Sequence, residues 1–410
     1  MSIWRAAGAA AGAVSFVAMA IPVAASGGLF QPAVNYAVGS APAGIVAADL
    51  NGDGLPDLAV ANQGANTISV LVNFGSGTFS SAASFAAGTQ PIGITAGDFT
   101  GDGRLDLAVT NYTGNTVSTL LGNGDGTFQA PVSHAVGSNP VGVAAADLSG
   151  DGNLDLVVGN DSSNTVSVLL GNGNGTFSAA ASFAAGGGDP WAIAVGDFNG
   201  DAKLDVAVAN DGSNSIAILL GNGDGTLQSP LNAAAGLGPV GIAIADFNGD
   251  SKLDVATAND GSNDISVLLG NGDGTFQPAA GFAAGNTPFG VAAGDVNGDS
   301  KLDLVSSNLG SNNVSALLGN GNGTFQAADN YAVDAGPWGI VAADLNGDGK
   351  ADVAVADRNS NDASVLLASS GQAVVPEAPA PVLLPLLAGG ASAAIGATRH
   401  VLRRRRRATA

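Results

Sequence analysis

Asp49-Leu50-Asn51-Gly52-Asp53-Gly54-Leu55-Pro56-Asp57 is the first of seven related nine-residue stretches in this 410-residue chain. The same pattern returns every 49 or 50 residues. A second string, first complete at Gly122–Phe128 as Gly-Asn-Gly-Asp-Gly-Thr-Phe, occurs in five of the units and in a degraded form at Asn73–Phe79. Self-similarity at a period of this length is typical of a repeat architecture.

Each unit contains β-strand patterns and no convincing amphipathic helix. In the first unit the predicted strands are Gly44–Ala48, Leu58–Ala61, Thr67–Val72 and a longer stretch, Thr78–Ala87. Turn-rich segments separate them. Four short strands in about 49 residues indicate a β-propeller blade. A β-helix would need shorter coils, and a row of sandwich domains would need about 100 residues each.

The two ends of the repeat array predict how the ring closes. The seventh unit stops near Leu366–Ser370 without its glycine-rich string, whereas Gly28–Pro32 matches Gly274–Pro278 of a complete unit. We therefore expect an N-terminal strand to complete the last blade, which would remove open sheet edges. The predicted fold is an all-β, seven-bladed β-propeller of four-stranded blades over residues 26–370.

The aspartate loops carry the chemistry of the repeat. Each loop offers side-chain oxygens at positions 1, 3, 5 and 9, and hard oxygen ligands at alternating positions suit Ca²⁺. Three carboxylates this close would repel one another without a cation. We predict about seven Ca²⁺ ions, one per blade. The predicted ligands are Asp49, Asn51, Asp53, Asp57, Asp98, Thr100, Asp102, Asp106, Asp147, Ser149, Asp151, Asp155, Asp197, Asn199, Asp201, Asp205, Asp246, Asn248, Asp250, Asp254, Asp295, Asn297, Asp299, Asp303, Asp344, Asn346, Asp348 and Asp352.

Position 6 of the loop differs between blades. It is glycine in four loops, but blades four to six hold Ala202, Ser251 and Ser300. If this turn needs a positive φ, those three loops are strained and should bind Ca²⁺ more weakly. The alternative is that the Asp/Asn/Gly strings are merely tight turns. Seven copies with aspartate at positions 1, 5 and 9 favour the metal-binding interpretation.

Composition excludes several classes of function. There is no cysteine and there are two histidines, which argues against thiolate zinc sites, thiol nucleophiles and histidine-based triads. Aspartate supplies 33 of the 34 acidic residues, and the predicted propeller has a net charge of about −27, which opposes nucleic-acid binding. His134 occupies the place of an aromatic residue in other blades and is predicted to be a packing residue. The protein is therefore predicted not to be an enzyme.

Both ends of the chain differ from the repeats. Residues 1–25 combine Arg5, an apolar run and small residues before a cleavage point after Ala25, which predicts a secretory signal peptide. Residues 371–380 form a Pro/Ala linker, and 381–410 contain an uncharged segment followed by Arg403–Arg407. This C-terminal pattern resembles the PEP-CTERM sorting signal of bacterial exported proteins; an ordinary tail anchor is the alternative. We expect a secreted or cell-surface protein that touches a membrane through this segment alone.

The repeat itself resembles FG-GAP/VCBS-type repeats and is similar to the integrin α-subunit propeller. That resemblance covers about Ser26–Ser370 and implies Ca²⁺ loops on one face and ligand-binding loops on the other. Trp191, Phe289 and Trp338 are expected on the second face, either as residues that plug the channel or as a sugar-binding mouth. Adhesion or extracellular matrix scaffolding, with a protein or polysaccharide partner, is the predicted function. A glycan-binding lectin is the alternative, followed by a polysaccharide lyase.

Overall fold

The computed structural model describes residues 28–369, within which 28 strands form seven four-stranded antiparallel sheets. The predicted all-β, seven-bladed propeller is therefore confirmed. A three-residue 3-10 turn at Asp211–Ser213 is the one helical element in this range, and no described helix has the length and apolar character needed to cross a membrane. The predicted signal peptide, linker and sorting segment lie outside the described residues.

Each blade runs from an innermost strand at the axis to an outermost strand at the rim. The outermost strands are β1 (Val34–Ala37), β5 (Ala83–Ala86), β9 (Val132–Ala135), β13 (Ala181–Ala184), β17 (Leu231–Ala234), β21 (Ala280–Ala283) and β25 (Asp329–Ala332). The innermost strands are β2 (Pro42–Ala48), β6 (Pro91–Gly97), β10 (Pro140–Ala146), β14 (Pro190–Gly196), β18 (Pro239–Ala245), β22 (Pro288–Gly294) and β26 (Pro337–Ala343).

The two middle strands of each blade are buried and carry the core. The second strands are β3 (Asp57–Asn62), β7 (Asp106–Asn111), β11 (Asp155–Asn160), β15 (Asp205–Asn210), β19 (Asp254–Asn259), β23 (Asp303–Asn308) and β27 (Asp352–Asp357). The third strands are β4 (Thr67–Leu71), β8 (Thr116–Leu120), β12 (Thr165–Leu169), β16 (Ser215–Leu219), β20 (Asp264–Leu268), β24 (Asn313–Leu317) and β28 (Asp362–Leu366). Every residue of β3 is buried, because the neighbouring blades cover both of its faces.

The outer strand is shorter than the sequence predicted. We expected a strand over Thr78–Ala87, but β5 covers four residues, and Phe79 belongs to a separate bridge with Asn73. Between the two, the Val72 backbone N–H donates to the Ser80 hydroxyl at 2.9 Å. The Ser80 backbone N–H donates to the Val72 carbonyl at 2.8 Å in return. The outermost strand has four residues in every blade, including the second, where Gln129 stands at the place of Ser80, so the short strand is a feature of the repeat.

Hydrophobic clusters lie between neighbouring blades and join them. Phe85 of the first blade packs edge-on against Phe128 of the second, with ring centroids 5.4 Å apart. The same arrangement brings Phe282 against Phe325, also at 5.4 Å. Such aromatic pairs contribute about 0.5–1.5 kcal/mol beyond the burial of their area. The last residue of each glycine-rich string, which is aromatic except at Leu227, therefore helps to fix one blade on the next.

Glycines allow the innermost strands to approach closely around the axis. A Cβ atom on Gly142 would lie 2.8 Å from the Trp191 carbonyl oxygen, and one on Gly290 would lie 2.9 Å from that of Trp338. Real Cβ atoms essentially never come this close to backbone, so a larger residue would push adjacent blades apart. The absence of a side chain here sets the spacing at the hub.

The first and last strands meet in one blade. β1 pairs antiparallel with β28, and the sheet order of this blade is β1, β28, β27, β26. Phe30 also bridges Ala368, as Phe276 bridges Gly270 in a continuous blade. The prediction that an N-terminal strand completes the seventh blade is thus confirmed.

Candidate functional site

All seven aspartate loops join an innermost strand to the second strand of the same blade. In the first blade, β2 ends at Ala48, the loop begins at Asp49, and Asp57 is the first residue of β3. The other loops have the same position in their blades, so one end of the propeller carries all seven. The structure therefore brings positions 1 to 9 of each predicted set into one short loop.

Position 1 organises the loop through its carboxylate. Asp49 Oδ1 accepts the backbone N–H groups of Gly52 at 2.7 Å and Asp53 at 3.1 Å, and Oδ2 accepts that of Gly54 at 2.8 Å. The N–H groups of positions 4 and 6 bond to the position-1 aspartate in the same way in every other blade. This aspartate therefore shapes the turn as well as offering oxygens to a cation.

Positions 3 and 5 lie on the outer part of the loop. The Asp53 backbone N–H donates to Asn51 Oδ1 at 2.9 Å, and the Leu55 N–H donates to Asp53 Oδ1 at 2.9 Å. Asp53 is exposed to solvent. An ionised carboxylate has about four lone-pair sites, so each of these bonds leaves coordination capacity.

Position 9 lies below the loop and is fully buried. Asp57 Oδ2 accepts the Leu50 N–H at 3.1 Å, and Oδ1 accepts the Asn73 N–H at 2.7 Å. The backbone N–H groups of the corresponding residues bond to the position-9 aspartate in all seven blades. Burial raises the pKa of Asp57 to about 6, against the lowering effect of these bonds. Sequence reasoning did not detect this structural role.

The turn at position 6 has a positive φ in every blade. Gly54 has φ of 86°, and the non-glycine residues Ala202, Ser251 and Ser300 have φ of 64°, 64° and 65°. The expectation that this turn needs a left-handed conformation is confirmed. Position 4 also has a positive φ, 79° at Gly52, and it is glycine in all seven loops.

Position 7 places a cation beside position 5 in four blades. Lys203 Nζ lies 3.9 Å from Asp201, and Lys301 Nζ lies 3.5 Å from Asp299; Arg104 and Lys252 form the corresponding pairs. These groups are exposed, so each pair contributes little to stability. They do offset part of the negative charge of their loops.

The loops fit calcium by their donor chemistry. All the candidate groups are carboxylate, amide, hydroxyl or carbonyl oxygens, which Ca²⁺ prefers over nitrogen or sulfur. Across residues 28–369, no three Asp, Glu, His or Cys side chains are gathered closely enough to hold a metal by themselves. A bound ion would therefore rely on amide, hydroxyl and carbonyl oxygens beside the aspartates of positions 1, 5 and 9.

The opposite end of the channel has an aromatic mouth. Trp191, Phe289 and Trp338 are each the second residue of an innermost strand, and all three are half-buried. The ring centroids of Phe289 and Trp338 are 4.2 Å apart, and Trp191 lies 5.5 Å from Phe289. A channel cavity of about 210 Å³ reaches these rings. The rings pack on one another across the axis while keeping part of their faces open.

Sequence reasoning missed the polar residues around this mouth. The Arg358 guanidinium lies 4.1 Å from the Trp338 ring centroid and bonds to Gln63, and Tyr112 donates to Asp161 Oδ2 at 3.1 Å. These residues share one place in the repeat, directly after the second strand. The residues at this place are Gln63, Tyr112, Asp161, Asp211, Asp260, Leu309 and Arg358. These residues vary in type although the rest of the repeat is uniform, and that variation was the sequence feature that could have pointed to this end of the channel.

His134 lies far from both ends of the channel, on β9 at the rim. Its ring packs edge-on against Phe177 at 5.3 Å, and Nε2 lies 3.2 Å from the Thr119 hydroxyl. Burial lowers the pKa of this imidazole. These contacts are those of a packing residue.

Comparison with known proteins identifies the repeat. A family model described as an FG-GAP-like repeat matches residues 49–109, 98–158, 147–208, 197–257, 246–306 and 298–355. The chain belongs to this family. The six matched segments overlap and together span residues 49–355, which is most of the chain. No curated protein sequence matches it.

Several solved structures share the FG-GAP chain's propeller fold. BBS1N in complex with ARL6DN is 13% identical, with a TM-score of 0.59, and the match covers 84% of this chain and 98% of that one. Virginiamycin B lyase from Staphylococcus aureus is 15% identical, with a TM-score of 0.58 over 83% and 100%. A putative 6-phosphogluconolactonase from Bacteroides fragilis is 15% identical, with a TM-score of 0.55 over 79% and 90%. At these identities the likeness concerns the fold alone.

Proposed function

We propose that this FG-GAP protein is a non-enzymatic, calcium-binding propeller that acts outside the cell in adhesion or in scaffolding of an extracellular matrix. The observation that carries the proposal is the sevenfold array of oxygen-lined loops on one end of the ring. About one Ca²⁺ per blade would offset the large negative charge of the body. Binding outside the cell also fits the predicted signal peptide, because extracellular calcium saturates sites with Kd near 10⁻⁴ M.

Calcium would act on stability through the loops. At a free concentration ten times Kd, one site adds about 1.4 kcal/mol to the free energy of unfolding. The residues that would hold the ion are those at positions 1, 3, 5 and 9, and position 9 also ties the loop to the sheet. The ion would supply positive charge when bound, and the chain supplies the oxygen ligands and the shape of the turn.

The test is thermal unfolding with and without a calcium chelator, together with elemental analysis of the purified protein. We expect the chelator to lower Tm sharply and calcium to be present at several equivalents. An unchanged melt and a preparation without calcium would refute the calcium proposal. Hydrogen exchange with and without the chelator adds an internal reference: the exposed turn Thr113–Asn115 lies away from this end and should be unaffected by chelation.

The absence of enzymatic activity is also part of the proposal. A polysaccharide lyase needs a base beside a charge-neutralising group. In residues 28–369, His134 packs against Phe177 at the rim, and four of the cations are paired with loop aspartates. These placements support binding over catalysis.

Glycan binding is the second candidate, and the aromatic mouth favours it. The open parts of the Trp191 and Trp338 rings could stack on sugar rings, and polar residues surround them. A glycan array with the wild-type protein, Trp191→Ala and Trp338→Ala separates the candidates. Tryptophan-dependent binding would establish a lectin. If no glycan binds, a protein partner in adhesion or scaffolding is favoured. The negative body argues against nucleic acid as that partner.

A further inference from the structure

The blade that closes the ring differs from the other six in charge. In those six, the second strand ends in a buried asparagine, and the turn before the innermost strand holds a glycine packed against it. The asparagines are Asn62, Asn111, Asn160, Asn210, Asn259 and Asn308, and the glycines are Gly39, Gly88, Gly137, Gly187, Gly236 and Gly285. The seventh blade has aspartate at both places, Asp357 and Asp334.

A third carboxyl group lies opposite the first. Asp357 on β27 and Asp362 on β28 are direct cross-strand partners. Asp362 is within hydrogen-bonding reach of both Asp334 and Asp357. Like charges placed directly opposite each other destabilise a strand pair. Of the other blades, only the fifth has a carboxyl group at the position of Asp362, namely Asp264, and there it faces the neutral Asn259.

Asp357 is completely buried and only partly bonded. Its Oδ2 accepts the Ser364 N–H at 3.1 Å and the Ser364 hydroxyl at 2.5 Å. Its Oδ1 has no hydrogen-bond partner among the described residues. A buried carboxylate oxygen without a donor is costly, whereas a protonated carboxyl group can donate to the neighbouring Asp362.

The same cluster holds the N-terminal strand. Asn35 on β1 pairs with Ser364 on β28, and its Nδ2 donates to Asp334 Oδ2 at 2.6 Å. The Ser364 hydroxyl also lies 3.0 Å from Asn35 Oδ1. β1 joins its blade through these contacts, its ladder and the neighbouring Phe30–Ala368 bridge rather than through a short chain connection, since more than 300 residues of chain separate it from β28.

The surroundings leave the carboxyl groups without a cation. Burial raises the pKa of Asp357 to about 7, and the charges of Asp362 and Asp334 add to the effect. Burial is also the main cause of the raised pKa of Asp362. β1 and β26 contain no charged residue, and no ion pair links these aspartates to Arg358, whose guanidinium lies on Trp338.

We propose that ring closure is proton-dependent: β1 is held firmly while the cross-strand pair Asp357 and Asp362 holds a proton beside Asp334, and it loosens when this pair is fully ionised. Asp357 is neutral while β1 is paired with β28, and it becomes charged once β1 detaches and water reaches the carboxyl group. Detachment then becomes easier as pH rises from about 4, the ordinary value for aspartate, to about 7. This proton-dependent closure requires neither bound calcium nor a bound extracellular partner.

Hydrogen exchange of the full chain tests the proposal, at pH 5 and pH 8 in constant excess calcium and corrected for the intrinsic exchange rate. We expect protection of Val34–Ala37, relative to the equivalent strand Leu231–Ala234, which contains no titratable side chain, to fall roughly tenfold or more between the two pH values. In Asp357→Asn, which installs the residue of the other six blades, this relative fall should disappear. Asp334→Gly should reduce it for the same reason.

Asp264→Asn is the matched control, since it removes a carboxyl group from the equivalent place in a blade without the cluster. Its pH dependence at β1 should equal that of the wild type. Equal relative protection of β1 at pH 5 and pH 8 in the wild type would overturn the proposal. So would a full pH response in both Asp357→Asn and Asp334→Gly.

Discussion

Asn361 Oδ1 accepts the backbone N–H of Ala41 at 2.8 Å and thereby joins the last blade to the first. The same bond, at 2.8–2.9 Å, crosses every blade boundary. The asparagines are Asn66, Asn115, Asn164, Asn214, Asn263, Asn312 and Asn361, and all have φ between 52° and 63°. Asparagine combines tolerance of this left-handed turn with a side-chain acceptor, which explains the choice of residue.

Asn361→Ala should destabilise the ring by about 2 kcal/mol. The substitution removes one hydrogen bond and places alanine at a φ of 63°, and each effect costs about 1 kcal/mol. Denaturant unfolding measures the loss. Asn359→Ala is the control: Asn359 is exposed and its side chain makes no such bond, so its free energy of unfolding should stay within about 0.5 kcal/mol of the wild type.

Asp57→Ala and Asp53→Ala should separate structure from ion binding. The first leaves two buried backbone N–H groups without an acceptor, so we expect a loss of about 2–4 kcal/mol even without calcium. The second removes an exposed carboxylate and should cost less than about 1 kcal/mol without calcium. In the presence of calcium, Asp53→Ala should lower the number of ions bound by one. Equal losses for both variants without calcium would contradict these assignments.

Replacing Ala202, Ser251 and Ser300 by glycine should strengthen the three strained loops. Their φ values of 64–65° cost a non-glycine residue roughly 1 kcal/mol or more each. Calcium titration of the wild type should show about four tighter and three weaker sites, roughly fivefold apart, and the triple variant should show one class. A single class in the wild type would show that the strain does not reach the metal-binding oxygens.

His134→Phe should fold as well as the wild type and remove one source of acid sensitivity. Because burial lowers the pKa of His134, the unfolded chain binds a proton more readily, and stability is lost as pH falls through 6.5. Phenylalanine already occupies this place at Phe85, Phe183 and Phe282. Thermal melts at pH 5 and pH 8 should differ less for the variant. If Tm differs between pH 5 and pH 8 as much in the variant as in the wild type, the acid sensitivity does not come from His134.

The sequence was sufficient for the parts of the fold that repeat. The spacing of the Asp49–Asp57 pattern predicted the blade, and the match of Gly28–Pro32 to Gly274–Pro278 predicted its closure. Both predictions depend on local sequence patterns, and these patterns are easier to recognise because they recur in every blade. The length of β5 was predicted wrongly, because the pairing of Thr78–Ala87 is divided between the separate Asn73–Phe79 bridge and the ladder of β5, and strand propensity does not show that division.

Contacts between distant segments could not be read in the same way. Asn361 and Ala41 are separated by 320 residues, and a pattern of Asn in turns gives no sign of the acceptor role. The spacing of Asp57 predicts a metal ligand, and that remains a prediction; the two backbone N–H groups that it accepts appear only in three dimensions. The mouth residues Arg358 and Gln63 meet for a similar reason, since the ring places blade seven beside blade one.

The meeting of β1 and β28 has a consequence for how the molecule is made. Val34–Ala37 is synthesised early, yet its partner Asp362–Leu366 is added almost at the end of translation. Throughout elongation the first strand has no ladder, while the six continuous blades can form from neighbouring segments. The final step therefore requires a long-range encounter, and such encounters are slow. A ribosome that stalls inside the last repeat would release an open ring with a bare sheet edge, the kind of edge that templates aggregation.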